Sequence, residues 1–164
     1  MVTFVDLGDG GGALALTHRP KLRDFALLRD EQGATHLVTL LAANEQAAQV
    51  GAAAEAAGLT WVWIPMQGAN VPSAERTAAL SGELDKVRDL IAGGARVVVH
   101  CSAGIHRTGM FGYALLRTCG LAPEAAMETL ATLRPVTAEG VGDQRLAWAE
   151  ELAAAARQRL DGAG

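Results

Sequence analysis

The chain has 164 residues, half of them apolar, which is enough for one sizeable core, and nothing in its composition divides it into two domains. Its net charge of −4 and pI near 5.5 exclude broad nucleic-acid binding by charge, and no apolar run is long enough to span a bilayer. Met1 to Leu7 lacks the basic start and apolar stretch of a signal peptide, and two cysteines fit a reducing compartment better than a disulfide framework, so a single cytoplasmic domain over residues 1–164 is expected.

Residues 1–12, which include Asp9-Gly10-Gly11-Gly12, read as a flexible glycine-rich lead-in, and Ala13 to Thr17 as a short first strand. Pro20 opens a helical stretch with Leu22, Phe25, Ala26 and Leu28 on its apolar face, and Gly33 stops it. Thr35 to Leu41 is a second strand. Asn44 can cap an alanine-rich helix ending at Gly58, Leu59 to Ile64 is a third strand of bulky residues, and Pro65 to Pro72 is a loop. Ser73 caps the next helix, in which Leu80, Leu84, Val87, Leu90 and Ile91 recur with helical period until Gly93-Gly94. The run Ala95 to Val99 is a fourth strand, followed by an apolar helix toward Cys119. Two more helices are expected, one opening at Pro123 and closing before Pro135, the other from about Asp143 to Ala156, with residues 161–164 as a tail. Strands alternating with helices predict an α/β fold: a largely parallel central sheet of about four to five strands flanked by helices, with a helical C-terminal third. Ligands of such sheets bind at the carboxyl ends of the strands, where Cys101 falls.

At that point stands His100-Cys101-Ser102-Ala103-Gly104-Ile105-His106-Arg107-Thr108-Gly109. Five residues between a thiol and a guanidinium can curl so that the N–H groups from Ser102 to Arg107 (Ser102, Ala103, Gly104, Ile105, His106 and Arg107) line one anion-binding nest. The start of the following helix adds its dipole. All of these favour thiolate over thiol at Cys101, the nucleophilic form. Arg107 suits phosphate through its planar fork, Thr108 could hydrogen-bond the sulfur, and Gly104 and Gly109 permit a tight backbone.

This segment resembles the active-site signature of the cysteine-dependent protein tyrosine phosphatase superfamily, particularly its compact dual-specificity branch. More loosely, by order and spacing, the resemblance runs from Leu14 to Gln144. It implies a dual-specificity phosphatase-like fold, a phosphocysteine intermediate on Cys101, phosphate binding by Arg107, and no cofactor. Relatives usually carry an Asp general acid in the loop after the third strand. Here Pro65-Met66-Gln67-Gly68-Ala69-Asn70-Val71-Pro72 holds no carboxylate, and alignment of the prolines puts Gly68 where the acid would stand. Three residues are candidates to fill the gap. His106 sits inside the phosphate loop, at a place that also resembles a branch of atypical phosphatases acting on inositol pyrophosphates; it could donate a proton, add charge, or face outward. Glu75 and Asp143 are the other two, both better explained as acidic residues in the first turn of a helix.

The expectation for function is a phosphatase of phosphomonoesters, aryl phosphates such as phosphotyrosine foremost, because a leaving group stable as an anion needs little protonation. The substrate would be a phosphorylated protein or a small phosphorylated metabolite, handled by a monomer without nucleic acid or membrane. Two alternatives stand beside it: hydrolysis of phosphoanhydrides such as inositol pyrophosphates, and a pseudophosphatase that binds phosphate without efficient turnover. Glu45 resembles the acidic residue that contacts the phosphate-loop arginine in relatives, with a surface position as the even alternative. Gln144 resembles an amide that positions water. His18-Arg19-Pro20-Lys21 reads as a solvated basic turn, the alternative being positive charge placed near the pocket as in similar segments of some relatives, His100 as support for the loop, and Arg134 as a packing or pairing residue. Trp61 and Trp63 share one face of a strand, with packing as their expected role, and Trp148 and Cys119 read as core. No pair among the four His has zinc-site spacing.

Overall fold

The computed structural model describes residues 1–163. Five strands form one sheet: β1 (Val5–Asp6), β2 (Ala13–Thr17), β3 (His36–Thr39), β4 (Thr60–Trp63) and β5 (Arg96–His100), in the spatial order β1-β2-β5-β3-β4. All pairings are parallel except that of the edge strand β1 with β2. The expected largely parallel sheet is therefore present. Seven helices among the described residues surround it: α1 (Asp24–Asp30), α2 (Ala47–Ala56), α3 (Ala74–Ala92), α4 (His106–Thr118), α5 (Pro123–Leu133), α6 (Pro135–Gly140) and α7 (Asp143–Ala163). None is long and apolar enough to cross a membrane.

Why the strands carry so little polarity follows from their burial on both faces. Along β5, Val97 and Val99 join Leu14, Leu16, Val38 and Leu40 against α3, α4 and α7, while Val98 turns the other way, toward Phe25, Leu28, Val50 and Ala54 of α1 and α2. Successive side chains alternate between the two layers, as a strand requires. Helix α4 is buried without interruption from Arg107 to Leu116, wedged between the sheet and α7. The pairings level the carboxyl ends of four strands: Thr17, His100, Thr39 and Trp63 stand in one row. The loop leaving β5 rises from that row.

Several sequence expectations change. The lead-in is a hairpin rather than a tether, because Gly8 and Gly11 take left-handed φ of 86° and 80° and the Leu7 N–H donates to the Gly12 carbonyl at 2.9 Å. A two-residue strand shows too short a pattern to read. Leu22 precedes α1 and is exposed, as is Ala26, since α1 starts only at Asp24, whose carboxylate accepts from the Lys21 N–H. Asn44 caps nothing: it lies in a short 3₁₀ turn (Ala43–Glu45), and Gln46, with φ 63°, separates that turn from α2. Ser73 does cap α3, accepting from the Arg76 N–H. Pro135 opens the unexpected α6, a place where proline's missing N–H costs nothing. Helix α7 continues past Ala156 through residues assigned to the tail, of which Gly164 lies outside the described residues.

Candidate active site

Cys101 leaves the end of β5 only 3 % exposed, at the floor of the loop. Its Sγ accepts from the Thr108 hydroxyl at 3.0 Å and from the Gly104 N–H at 3.3 Å. The curl is enforced from outside. In a planar trans peptide the carbonyl and the following N–H point in opposite directions. Here the carbonyl of Cys101 accepts from His100 Nδ1, that of Ser102 from the Arg19 N–H at 2.8 Å, and that of Gly104 from the Arg134 guanidinium at 2.9 Å and the Thr137 hydroxyl. Gripping those carbonyls aims the N–H groups of Ser102, Ala103 and Ile105 the other way, into the nest. Gly104 needs both its φ of 72° and its bare Cα, because a Cβ would fall 2.5 Å from the Thr17 carbonyl oxygen.

Arg107, at the start of α4 and 7 % exposed, is held end-on by Glu45. Its two terminal nitrogens donate to the two carboxylate oxygens at 2.7 and 2.9 Å, and one of them also donates to the Met66 carbonyl at 3.1 Å. The nearby Cys101 sulfur also favours the charged guanidinium. Glu45 is fixed in turn, since its Oε2 accepts from the Ala42 N–H at 2.7 Å and its carbonyl from the Arg19 guanidinium at 2.7 Å. The hydrogen bond from Arg107 keeps the Glu45 carboxyl below the usual carboxylate range despite partial burial, and the same bond pushes Arg107 further up. Arg19, expected in a solvated turn, thus braces both the phosphate loop and the carboxylate that orients Arg107.

His106 is half-buried at the rim; burial lowers its basicity, helped by the positive charges of Arg145 and then Arg107. The loop after β4 is pinned rather than free. The Met66 side chain is buried and its N–H donates to the Leu40 carbonyl, Arg76 donates to the Pro65 carbonyl, and Arg145 Nε donates to the Ala69 carbonyl at 2.7 Å. Glu75 and Asp143 are exposed in the first turns of α3 and α7, as their helix-start reading requires, and Gln144 beside Asp143 is exposed too. Sequence reasoning missed Arg145 and Thr137, and gave Arg134 a packing or pairing role without placing it at the phosphate loop. Its available signal was Pro135: the residue before a proline is extended, and Arg134, with φ −163° and ψ 102°, turns back to the loop. Cys119 is partly buried, its thiol pushed up to about 11 by burial.

A buried thiol that accepts from a loop N–H, at the carboxyl end of a largely parallel sheet and beside a carboxylate-held arginine, is the arrangement expected of a cysteine-dependent phosphatase. A family model described as "Polymorphic toxin system, DSP-PTPase phosphatase" matches residues 11–120, more than half of the chain, and the protein belongs to that family: it is a cysteine-dependent dual-specificity phosphatase. Solved structures share the fold. PTPMT1, also seen in complex with PI(5)P, is 20% identical with a TM-score of 0.72, over 91% of this chain and 94% of that one. Tk-PTP in its active form is 23% identical, TM-score 0.67, over 88% and 92%. The kinase associated phosphatase KAP, with its catalytic-site cysteine changed to serine, is 14% identical, TM-score 0.67, over 93% and 91%. No curated protein matches the sequence.

Proposed function

We propose that the chain is one phosphatase domain that hydrolyses phosphate monoesters, aryl phosphates such as phosphotyrosine foremost, through a phosphocysteine on Cys101. The observation that carries the reading is the double donation to Cys101 Sγ beside an Arg107 already oriented by Glu45. The N–H groups from Ser102 to Arg107, with the Arg107 guanidinium, hold the phosphoryl oxygens. The Cys101 thiolate attacks phosphorus, the bond from phosphorus to the leaving oxygen breaks, and that oxygen departs with the electron pair. Water then attacks phosphorus, the P–S bond breaks, phosphate leaves, and the Thr108 hydroxyl steadies the returning thiolate.

The choice of aryl over alkyl esters rests on proton supply. The loop from Pro65 to Pro72 has no carboxylate, and His106, its basicity lowered, is mostly neutral at neutral pH in the free protein. A phenolic leaving group, with a pKa of roughly 10, departs unaided far more readily than an alkoxide. A second reading, hydrolysis of phosphoanhydrides, is favoured by Arg145 and His106 standing together at the rim, where they suit a second phosphate. PI(5)P bound to PTPMT1 is a reason to include phosphoinositides among the substrates tried.

The test is a panel of phosphotyrosine, phosphoserine, nucleotides, phosphoinositides and inositol pyrophosphates, with aryl phosphates of graded leaving-group pKa, on the wild type and on Cys101→Ser, His106→Ala and Glu75→Ala. We expect rates that fall steeply as the leaving-group pKa rises and that vanish in Cys101→Ser. A flat dependence abolished by His106→Ala would instead make His106 the acid. Phosphate binding with no Cys101-dependent hydrolysis at any pH would overturn the proposal.

A further inference from the structure

Behind the phosphate loop a chain of three hydrogen bonds runs from the edge strand to the peptide that carries the nucleophile. Trp61 Nε1 donates to Thr39 Oγ1 at 2.8 Å, Thr39 Oγ1 lies 2.8 Å from His100 Nε2, and His100 Nδ1 lies 2.9 Å from the Cys101 carbonyl. Each link can point only one way. A carbonyl only accepts, so His100 must carry its proton on Nδ1. His100 is fully buried and burial lowers it to about 4, so at working pH it is neutral and Nε2 is bare. The single hydroxyl hydrogen of Thr39 must then go to Nε2. That leaves a Thr39 lone pair for an outside donor, and indole, a donor and never an acceptor, fills it.

The indole is itself held in place. A Cβ on Gly51 of α2 would fall 2.5 Å from the Trp61 ring, so only glycine lets the ring lie there. On its other side Trp63 stacks at 5.8 Å with the planes 12° apart, and donates its own N–H to the Leu41 carbonyl at 2.7 Å. Packing accounts for the rings, but not for a donor aimed at the one hydroxyl that touches His100. The direction of the chain matters at its far end: holding the Cys101 carbonyl outward turns the Ser102 N–H into the nest.

We propose that Trp61 and Thr39 are positioning residues for the phosphate loop, acting through His100 to fix the peptide between Cys101 and Ser102 so that its N–H faces the phosphate and the thiolate. This rests on the reading of Cys101 as nucleophile. The chain polarises in one sense from indole to carbonyl, so loss of an early link weakens the later ones.

The experiment follows alkylation of Cys101 by iodoacetamide against pH in the folded protein, for Trp61→Phe, which keeps an aromatic ring of smaller size and loses the donor, Thr39→Val, which keeps the shape and loses the hydroxyl, and Thr39→Ser, which restores it. The pH midpoint of alkylation should move up in Trp61→Phe and further up in Thr39→Val, and return in Thr39→Ser. Turnover of an aryl phosphate should fall in the same order, by about threefold to tenfold, the scale of one neutral hydrogen bond. A merely structural role would lower thermal stability and leave the alkylation profile of the folded protein in place. Coincident profiles for the wild type and Trp61→Phe, or failure of Thr39→Ser to restore the profile, would overturn the proposal. Should Thr39→Val not fold, those two comparisons still decide it. Alkylation reads the thiol rather than hydrolysis, so failure here is distinguishable from failure of the phosphatase reading.

Discussion

Replacing Glu45 with Gln preserves the shape of the side chain and removes its charge, which isolates what the carboxylate does for Arg107. The pair sits between two limits: Arg107's side chain is 8 % exposed and Glu45's 30 %. A fully exposed pair contributes roughly 0 to 1 kcal/mol, and breaking a fully buried one costs about 3 to 5 kcal/mol. Gln retains one oxygen for one guanidinium nitrogen but turns an N–H toward the other, so one charge-assisted bond is lost and the other keeps only the charge of its guanidinium donor. Each charge-assisted bond contributes about 1.5 to 3 kcal/mol; discounted for the exposure of Glu45, the expected loss is about 2 kcal/mol. Urea unfolding should then show a midpoint lowered by about 1 M, given a slope of about 2 kcal/mol per M. The pH dependence carries a sign. The Glu45 carboxyl is lowered in the folded state from an ordinary value of 4.5, so its contribution is complete above that pH and is lost as pH falls through the folded value. The gap between wild type and Glu45→Gln should be constant from pH 7 to 5.5 and narrow as pH falls below 4.5. Burial of His100 lowers it from 6.5 to about 4, so stability also falls as pH drops across that interval, but equally in both proteins, and cancels from the gap. Turnover of an aryl phosphate should fall about tenfold or more, since a mobile Arg107 forfeits part of its hold on the transferring group. A gap under about 0.5 kcal/mol at pH 7, or one undiminished in acid, would refute the reasoning.

Gly104→Ala should lose about 2 to 4 kcal/mol and nearly all activity, because the added Cβ meets the Thr17 carbonyl oxygen at 2.5 Å in a left-handed conformation; thermal unfolding and turnover measure both. Gly68→Asp should gain rate on an alkyl phosphate relative to an aryl one by restoring a carboxylate: a Cβ there meets nothing within 4 Å, and the strain of its φ of 65° is smaller for Asp than for most residues; an unchanged alkyl-to-aryl ratio would place the missing acid elsewhere. Arg145→Ala should raise the His106 titration toward 6.5, seen by NMR, because the Arg145 charge is the second cause of its lowered basicity after burial. The same variant removes the positive charge beside His106, so KM for substrates with two phosphates should rise more than KM for those with one.

What was legible in the sequence was local. Cys101, Arg107 and Thr108 lie close together along loop and helix, and there the spacing sets the geometry: the thiol accepts from Thr108 as expected, and from the Gly104 N–H as well. The parts that hold this loop come from far along the chain. Glu45 reaches Arg107 only because Gln46, with φ 63° and no glycine to announce it, breaks the helix that Asn44 was expected to start. Arg134 and Thr137 reach the Gly104 carbonyl only because a short helix opens at Pro135, a residue that reads equally well as the end of the preceding one. Trp61 and Trp63 do share a face, but β4 is an edge strand, so the second indole stacks on the first and remains 41 % exposed where burial was expected. Period-two patterns report a residue's face and not the sheet edge it stands on. The same separation governs the chemistry. Absence of a carboxylate between Pro65 and Pro72 is visible in the sequence, whereas the arginines that fasten that loop, Arg76 at Pro65 and Arg145 at Ala69, belong to helices that follow it by no recognisable spacing. A loop held at both points by distant arginines has its position set by contacts that no local pattern of the sequence announces.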